Sequence, residues 1–202
     1  LFFAGSSEIF GNTEKPADIS HIQRPCSPYA VAKQCGFNLV KMYRELYQIK
    51  CSTGILFNHE SPLRDESFIT QKIITGAIKC LSDKNHKITI GNVDVFRDWG
   101  WAEEYVEAMQ LIINSRNTKD YVICTGTLNS LERFIEIVFQ KLNLNYQDHI
   151  ISNKSLFRKT DIHKSYGDPK TMSNDLGWKA KYQIEDIIEK LIDTKLKKLS
   201  VN

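Results

Sequence analysis

With 202 residues, 42% hydrophobic and 25% charged, the chain has the composition of an ordinary globular protein and is long enough to bury a sizeable core. A formal net charge of +3 is too mild to argue for nucleic acid, and no apolar run approaches the ~20 residues of a membrane span. The five cysteines (Cys26, Cys35, Cys51, Cys80, Cys124) are odd in number and never spaced as a metal clip or redox pair, and the five histidines show no ligand spacing. Reduced thiols, a cytoplasmic location and no metal are expected.

The chain begins at Leu1, and Leu1-Phe2-Phe3-Ala4 reads as a buried strand, so the sequence is expected to start inside an element, with a segment upstream. The stretch 27–47 reads as a helix, with Ser27 as N-cap, Pro28 at the first helical position and apolar residues at Val31, Ala32, Phe37, Leu39, Val40, Tyr43 and Leu46. A short strand follows over 51–57, a helix over 68–81, a short strand over 87–90 ended by Gly91-Asn92, a helix over 102–113 and a strand over 121–124. Asn129 is expected to cap a helix reaching about Leu142, with Glu132 completing a capping box. Residues 152–169 read as loop, a short helix ends in Leu176-Gly177-Trp178, and the last helix, over 184–199, carries the stripe Ile184, Ile187, Ile188, Leu191, Ile192 and Leu199. Its interleaved lysines and carboxylates read as a solvated face. Strands alternating with helices predict an α/β fold with a parallel sheet.

Tyr29 and Lys33 stand four apart on the first helix and share a face, where an ammonium beside a tyrosine favours the phenolate as an acid-base group. The spacing alone also fits a solvated surface pair. Tyr166 and Lys170 repeat it, but Gly167-Asp168-Pro169 between them forbids a common helical face. Upstream, Ser6-Ser7-Glu8 sets two hydroxyls and a carboxylate just past a strand, at the edge where open α/β sheets bind ligands. Alone it reads equally as a helix cap. Arg97-Asp98 reads as a surface ion pair, Asn58-His59 as a strand-end turn and Lys72 as an exposed helix lysine, until something else binds them together.

Several segments together supply that link: Ser6-Ser7-Glu8-Ile9-Phe10-Gly11, Ser27-Pro28-Tyr29-Ala30-Val31-Ala32-Lys33, Gly54-Ile55-Leu56-Phe57-Asn58-His59-Glu60-Ser61-Pro62 and Arg97-Asp98-Trp99-Gly100. Gly91-Asn92 and Tyr105-Val106-Glu107-Ala108-Met109 extend them. On these the chain resembles the extended short-chain dehydrogenase/reductases, and among them the GDP-mannose 4,6-dehydratase family. The resemblance implies the C-terminal half of a Rossmann-like parallel sheet plus a small, mostly helical substrate-binding region. Residues 1–60 and 88–126 would form the partial Rossmann-like part, 61–87 and 127–202 the sugar-nucleotide region, and the N-terminal cofactor-binding strands would be missing. It further implies NADP, less readily NAD, a GDP-mannose-like substrate, and a homo-oligomer when full length.

The same resemblance assigns roles. Tyr29 takes the C4 hydroxyl proton, Lys33 tunes it and holds the nicotinamide ribose, Ser6 holds the sugar hydroxyl with Ser7 in support, and Glu8 removes the C5 proton. Asn58 and His59 would meet nicotinamide or substrate; Arg64 would reach cofactor in a neighbouring subunit; Lys72 and Arg97 would neutralise the diphosphate, the task for which cations are suited. Arg158 and Asp161 stand where the family's Arg-Pro-x-Glu clamp would be, here Arg158-Lys159-Thr160-Asp161. Other departures are Leu63-Arg64-Asp65 for Arg-Arg-Gly, Trp101 for a histidine, and no Gly-x-x-Gly-x-x-Gly turn among the ten glycines. The alternatives implied are another nucleotide-sugar dehydratase, a GDP-4-keto-6-deoxymannose reductase, or a non-catalytic truncated remnant acting only by subunit pairing.

Overall fold

The computed structural model describes residues 1–157 and 160–200. In chain order its elements are β1 (Phe2–Ser6), α1 (Pro28–Tyr47), β2 (Ser52–Leu56), β3 (Asn58–Glu60), α2 (Ile69–Ser82), β4 (Ile88–Ile90), β5 (Phe96–Arg97) and β6 (Trp99–Trp101). There follow α3 (Ala102–Asn114), β7 (Tyr121–Ile123), β8 (Asn129–Ser130), α4 (Leu131–Lys141), β9 (Ile150–Ser152), β10 (Lys164–Ser165), α5 (Lys170–Leu176) and α6 (Ile184–Ser200).

Strands β1, β2 and β7 form a parallel sheet in that order, with Ser6 opposite Leu56 and Leu56 opposite Ile123. Because side chains alternate along a strand, each strand feeds both faces. Val122 and Cys124 join Ile55 and Phe37 of α1 on one face, while Tyr121 and Ile123 join Tyr105, Ala108 and Ile112 of α3, with Met172 of α5, on the other. Helices cover both faces, as parallel strands require.

A second core gathers α2, α4 and α6: Ile73, Ile74, Ala77, Phe134, Val138, Ile187, Ile188 and Leu191 are buried together. Ile88, Ile90, Val95, Trp99 and Trp101 bury in this cluster as well, although the resemblance implies that 88–126 belongs with the Rossmann-like part. The reason is pairing: β4 runs parallel to β9, and β6 runs parallel to β3, so neither joins the central sheet.

The structure corrects several expectations. The opening strand is only partly buried: β1 lies at the sheet edge, Leu1 is 76% exposed, Phe2 and Phe3 are half-buried, and only Gly5 and Ser6 are buried. The cap of α4 is Ser130, one residue later than Asn129: its side chain accepts from Arg133 N and the helix begins at Leu131. The segment 152–169 contains the end of β9, a 3-10 turn over Lys154–Leu156 and β10, elements too short to show a period. Of the apolar positions read on α1, Phe37 and Val40 are buried, whereas Val31, Leu39, Tyr43 and Leu46 are exposed, so the helix is apolar on two faces and the sheet covers one. Ser27 does cap α1, with Pro28 at its start, and Gly177 ends α5 in the left-handed conformation at φ 67°.

Helix α1 lies very close to β1. A Cβ on Gly36 would stand 2.3 Å from Cζ of Phe3, so the absence of a side chain there sets the helix–strand spacing. Gly36→Ala is therefore expected to destabilise the protein by about 1–3 kcal/mol through overpacking, outweighing the ~1 kcal/mol gained in helix propensity. In a Phe3→Leu background the sign should reverse, since the clash is removed and the propensity gain remains. Urea midpoints of the four proteins check this; a stabilising Gly36→Ala in the parent would show that the contact is not tight.

Candidate active site

The carboxyl end of β1 runs directly into a 3-10 turn over Ser7–Phe10. Ser6 is its cap, and its Oγ accepts from Glu8 N at 3.3 Å. Ser6 and Ser7 are buried and Glu8 is half-buried. Helix α1 starts alongside. Ser27 Oγ accepts from Ala30 N at 3.0 Å and donates to Glu8 Oε2 at 3.2 Å. Tyr29, 52% exposed, sits in the first turn with its ring open to solvent. One turn on, Lys33 Nζ donates to Ala4 O at 2.9 Å and lies 5.3 Å from the Phe3 ring centre and 5.6 Å from that of Tyr29. Ser6, Ser7, Glu8, Tyr29 and Lys33 thus form one group at the sheet edge.

Strand β2 ends opposite Ser6, so Asn58 and His59 emerge at the same edge. Asn58 is paired with Trp99 and is half-buried. His59 Nδ1 lies 2.8 Å from Phe57 O and its ring packs at a tilt against Tyr105 with centres 4.8 Å apart. Burial holds its pKa below the ordinary histidine range, which favours the neutral ring. Arg64 Nη1 donates to His59 O at 3.2 Å, and its guanidinium stacks 4.0 Å over the Phe68 ring. In this arrangement Arg64 is folded back on its own loop.

Arg97 is half-buried, with Nη1 donating to Phe96 O at 2.8 Å and His163 O at 3.3 Å. Lys72 is exposed on α2 and Asp161 half-buried in the segment before β10; among the described residues neither hydrogen-bonds to the Ser6–Lys33 group. Arg158 lies outside the described residues.

A family model described as GDP-mannose 4,6 dehydratase matches residues 1–191. The chain belongs to this family. It is 37% identical over 193 residues to GDP-mannose 4,6 dehydratase 1 of Arabidopsis thaliana, a match that covers 96% of the chain and 54% of that relative. The chain thus spans about half the length of the curated relatives it matches. Solved structures agree in fold: the dTDP-glucose 4,6-dehydratase of Bacillus anthracis in complex with NAD superposes with a TM-score of 0.86 at 16% identity, over 99% of this chain and 62% of that one. The RMD protein of Pseudomonas aeruginosa, solved with NADPH, gives 0.86 at 19% identity, over 98% of this chain and 66% of its own.

Within the Arg97-Asp98-Trp99-Gly100 segment, Asp98 does what the sequence did not disclose. It is fully buried, and its carboxyl accepts from Thr125 N and Oγ1 at 2.9 and 2.7 Å, Gly126 N at 2.8 Å and Gly167 N at 3.5 Å. It ties together the segments after β7 and β10, yet burial outweighs these donors and pushes its pKa up to about 6. Glu60, in the Asn-His-Glu-Ser-Pro segment, accepts from Thr70 Oγ1 at 2.8 Å, which links β3 to the start of α2. Arg64 Nε stands 3.5 Å from its Oε2. The role of Asp98 was invisible to motif reading, because its donors lie 27 to 69 residues away in the chain.

Burial pushes the pKa of Glu60 up to about 7, with Arg64 and Thr70 opposing. A carboxyl whose folded pKa is raised favours the native state when protonated. Its contribution is therefore full below about 4.5 and is lost as pH rises to about 7, a change on the order of 3 kcal/mol. Glu60→Gln should remove this slope, leaving the variant more stable than the parent at pH 8 and close to it at pH 4.5. Urea melts at both pH values test it, and a Gln variant weaker at pH 8 would mean that the Arg64 ion pair outweighs the burial cost.

Proposed function

We propose that the chain carries the dehydrating chemistry of a GDP-mannose 4,6-dehydratase, converting GDP-mannose to GDP-4-keto-6-deoxymannose in the cytoplasm with NADP. The observation that carries this is the single group formed by Ser6, Glu8, Tyr29 and Lys33, with Lys33 bonded to Ala4 O immediately before Ser6-Ser7-Glu8. Family membership supports the substrate, and neighbours of the same fold solved with NAD or NADPH support a nicotinamide cofactor. The half-exposed Tyr29 beside a lysine ammonium at a sheet's carboxyl edge fits the nicotinamide end of such a molecule. The chemistry that a bound nicotinamide supplies is acceptance of hydride from C4 and its return at C6.

The chain's own residues manage the protons. Tyr29 takes the proton of the C4 hydroxyl as the ketone forms, with Ser6 holding that oxygen. The ketone acidifies C5–H; Glu8 takes this proton and delivers it to the C6 hydroxyl, which leaves as water. The proton held by Tyr29 then returns at C5, so the net change is loss of one water. Lys33 orients Tyr29 and the ribose, Asn58 and His59 flank the reacting sugar, and Ser7 supports the turn. Lys72 and Arg97 neutralise the diphosphate and Arg158 and Asp161 hold the nucleotide, within a sugar-nucleotide region of residues 61–87 and 127–202, and Arg64 serves the cofactor. No helix among the described residues is long and apolar enough to cross a membrane. The exposed α1 stripe of Val31, Leu39, Tyr43 and Leu46 supports a homo-oligomer.

The test uses a chimera in which this chain replaces the matching segment of the Arabidopsis relative, supplied with GDP-mannose and NADP. The expected product is the 4-keto-6-deoxy sugar nucleotide. Glu8→Gln should cut turnover ~10²–10⁴-fold, the usual cost of losing a general base, and stall after C4 oxidation with reduced nicotinamide visible by rapid-scan absorbance. Tyr29→Phe should block before any reduction. A Glu8→Gln chimera that dehydrates at the parent rate would leave Glu8 as a turn residue and sink the assignment.

A further inference from the structure

We propose that Ser27 is a positioning residue that locks the start of α1 to the carboxylate of Glu8, fixing the proton-transfer group relative to Tyr29 and Lys33. The inference rests on the reading of Glu8 given above. A serine hydroxyl has one proton and two lone pairs. At Ser27 both functions are in use: a lone pair accepts from Ala30 N at 3.0 Å, and the proton goes to Glu8 Oε2 at 3.2 Å. The backbone of Ser27 is extended, at φ −143° and ψ 157°, which is what an N-cap needs for its side chain to turn back over the helix. Pro28 then fixes the first helical residue.

Glu8 is consequently held at both ends. Ser6 Oγ receives its backbone N–H, and Ser27 holds Oε2 from a segment 19 residues away. Among the described residues Oε1 has no hydrogen-bond partner, so it is the oxygen left to take a proton. The two links make the 3-10 turn after β1 and the first turn of α1 one unit. A shift of either would move Glu8 relative to Tyr29, and misplacement of about 1 Å is enough to cost a hundredfold in rate.

Capping and positioning can be separated because Ser, Thr and Gly all serve at a helix N-cap, but only Ser and Thr offer a proton to Glu8, and Gly brings no charge beside its carboxylate. In the chimera, Ser27→Thr should retain turnover, whereas Ser27→Gly should stay close to the thermal midpoint of the parent and lose about tenfold or more in kcat with KM unchanged. Its stall should fall at the Glu8 step, with reduced nicotinamide building up. Ser27→Ala should lose both midpoint and rate. If Ser27→Gly turns over like the parent, Ser27 is a cap alone and the inference is overturned. If the parent chimera yields no keto sugar, the functional reading fails instead, and crystal structures of the Ser27→Thr and Ser27→Gly variants then decide the coupling. In the first, the Glu8 carboxylate should stay on the hydroxyl of the capping side chain. In the second it should leave its place, and a Glu8 that keeps the same position in the Ser27→Gly variant would contradict the lock.

Discussion

The seating of α1 on the edge strand β1 is the constraint on which the site depends. Gly36 lets the helix approach until Phe3 fills the space where a Cβ would be, and Lys33 then reaches Ala4 O across the gap. Dispersion and burial bring the two elements together without direction. Direction comes from two polar links, Lys33 to Ala4 and Ser27 to Glu8, both within a few residues of the sheet's carboxyl edge. Packing sets the distance and hydrogen bonds set the register.

Buried carboxylates fix the rest of the scaffold. Asp120 receives Thr53 N at 2.7 Å and pairs with Arg44, joining the end of α1 to the sheet. Glu104 receives Lys181 N and Tyr182 N at 2.8 and 3.3 Å and so anchors the approach to α6, while Asp98 gathers the segments after β7 and β10. Each accepts from backbone N–H groups of a distant segment. For Asp98 and Glu60 the desolvation cost shows directly in raised pKa values. The stability given up fastens the segments after β7 and β10 to Asp98 and the start of α2 to β3.

Much of this was legible in the sequence, and the limits have physical causes. The long helices announced themselves because a 3.6-residue stripe over three or more turns is hard to produce by chance, and the Tyr29/Lys33 face followed from spacing alone. On α1 the stripe misled about burial, since apolar residues occupy two faces and periodicity does not say which one the sheet covers. Strands of two or three residues, such as β5, β8 and β10, are too short to carry a period. Ser27 was legible as a cap but not as a partner of Glu8, nor Asp98 as a hub, because side-chain bonds between distant segments leave no local pattern.

The central claim is that this edge oxidises, dehydrates and reduces one sugar without releasing it. The direct measurement follows GDP-mannose deuterated at C4 through the chimera with the Arabidopsis relative, locating the label in the product by NMR. The account requires the deuterium to appear on C6, carried there within a single turnover. Deuterium left at C4, or lost from the sugar altogether, would contradict it.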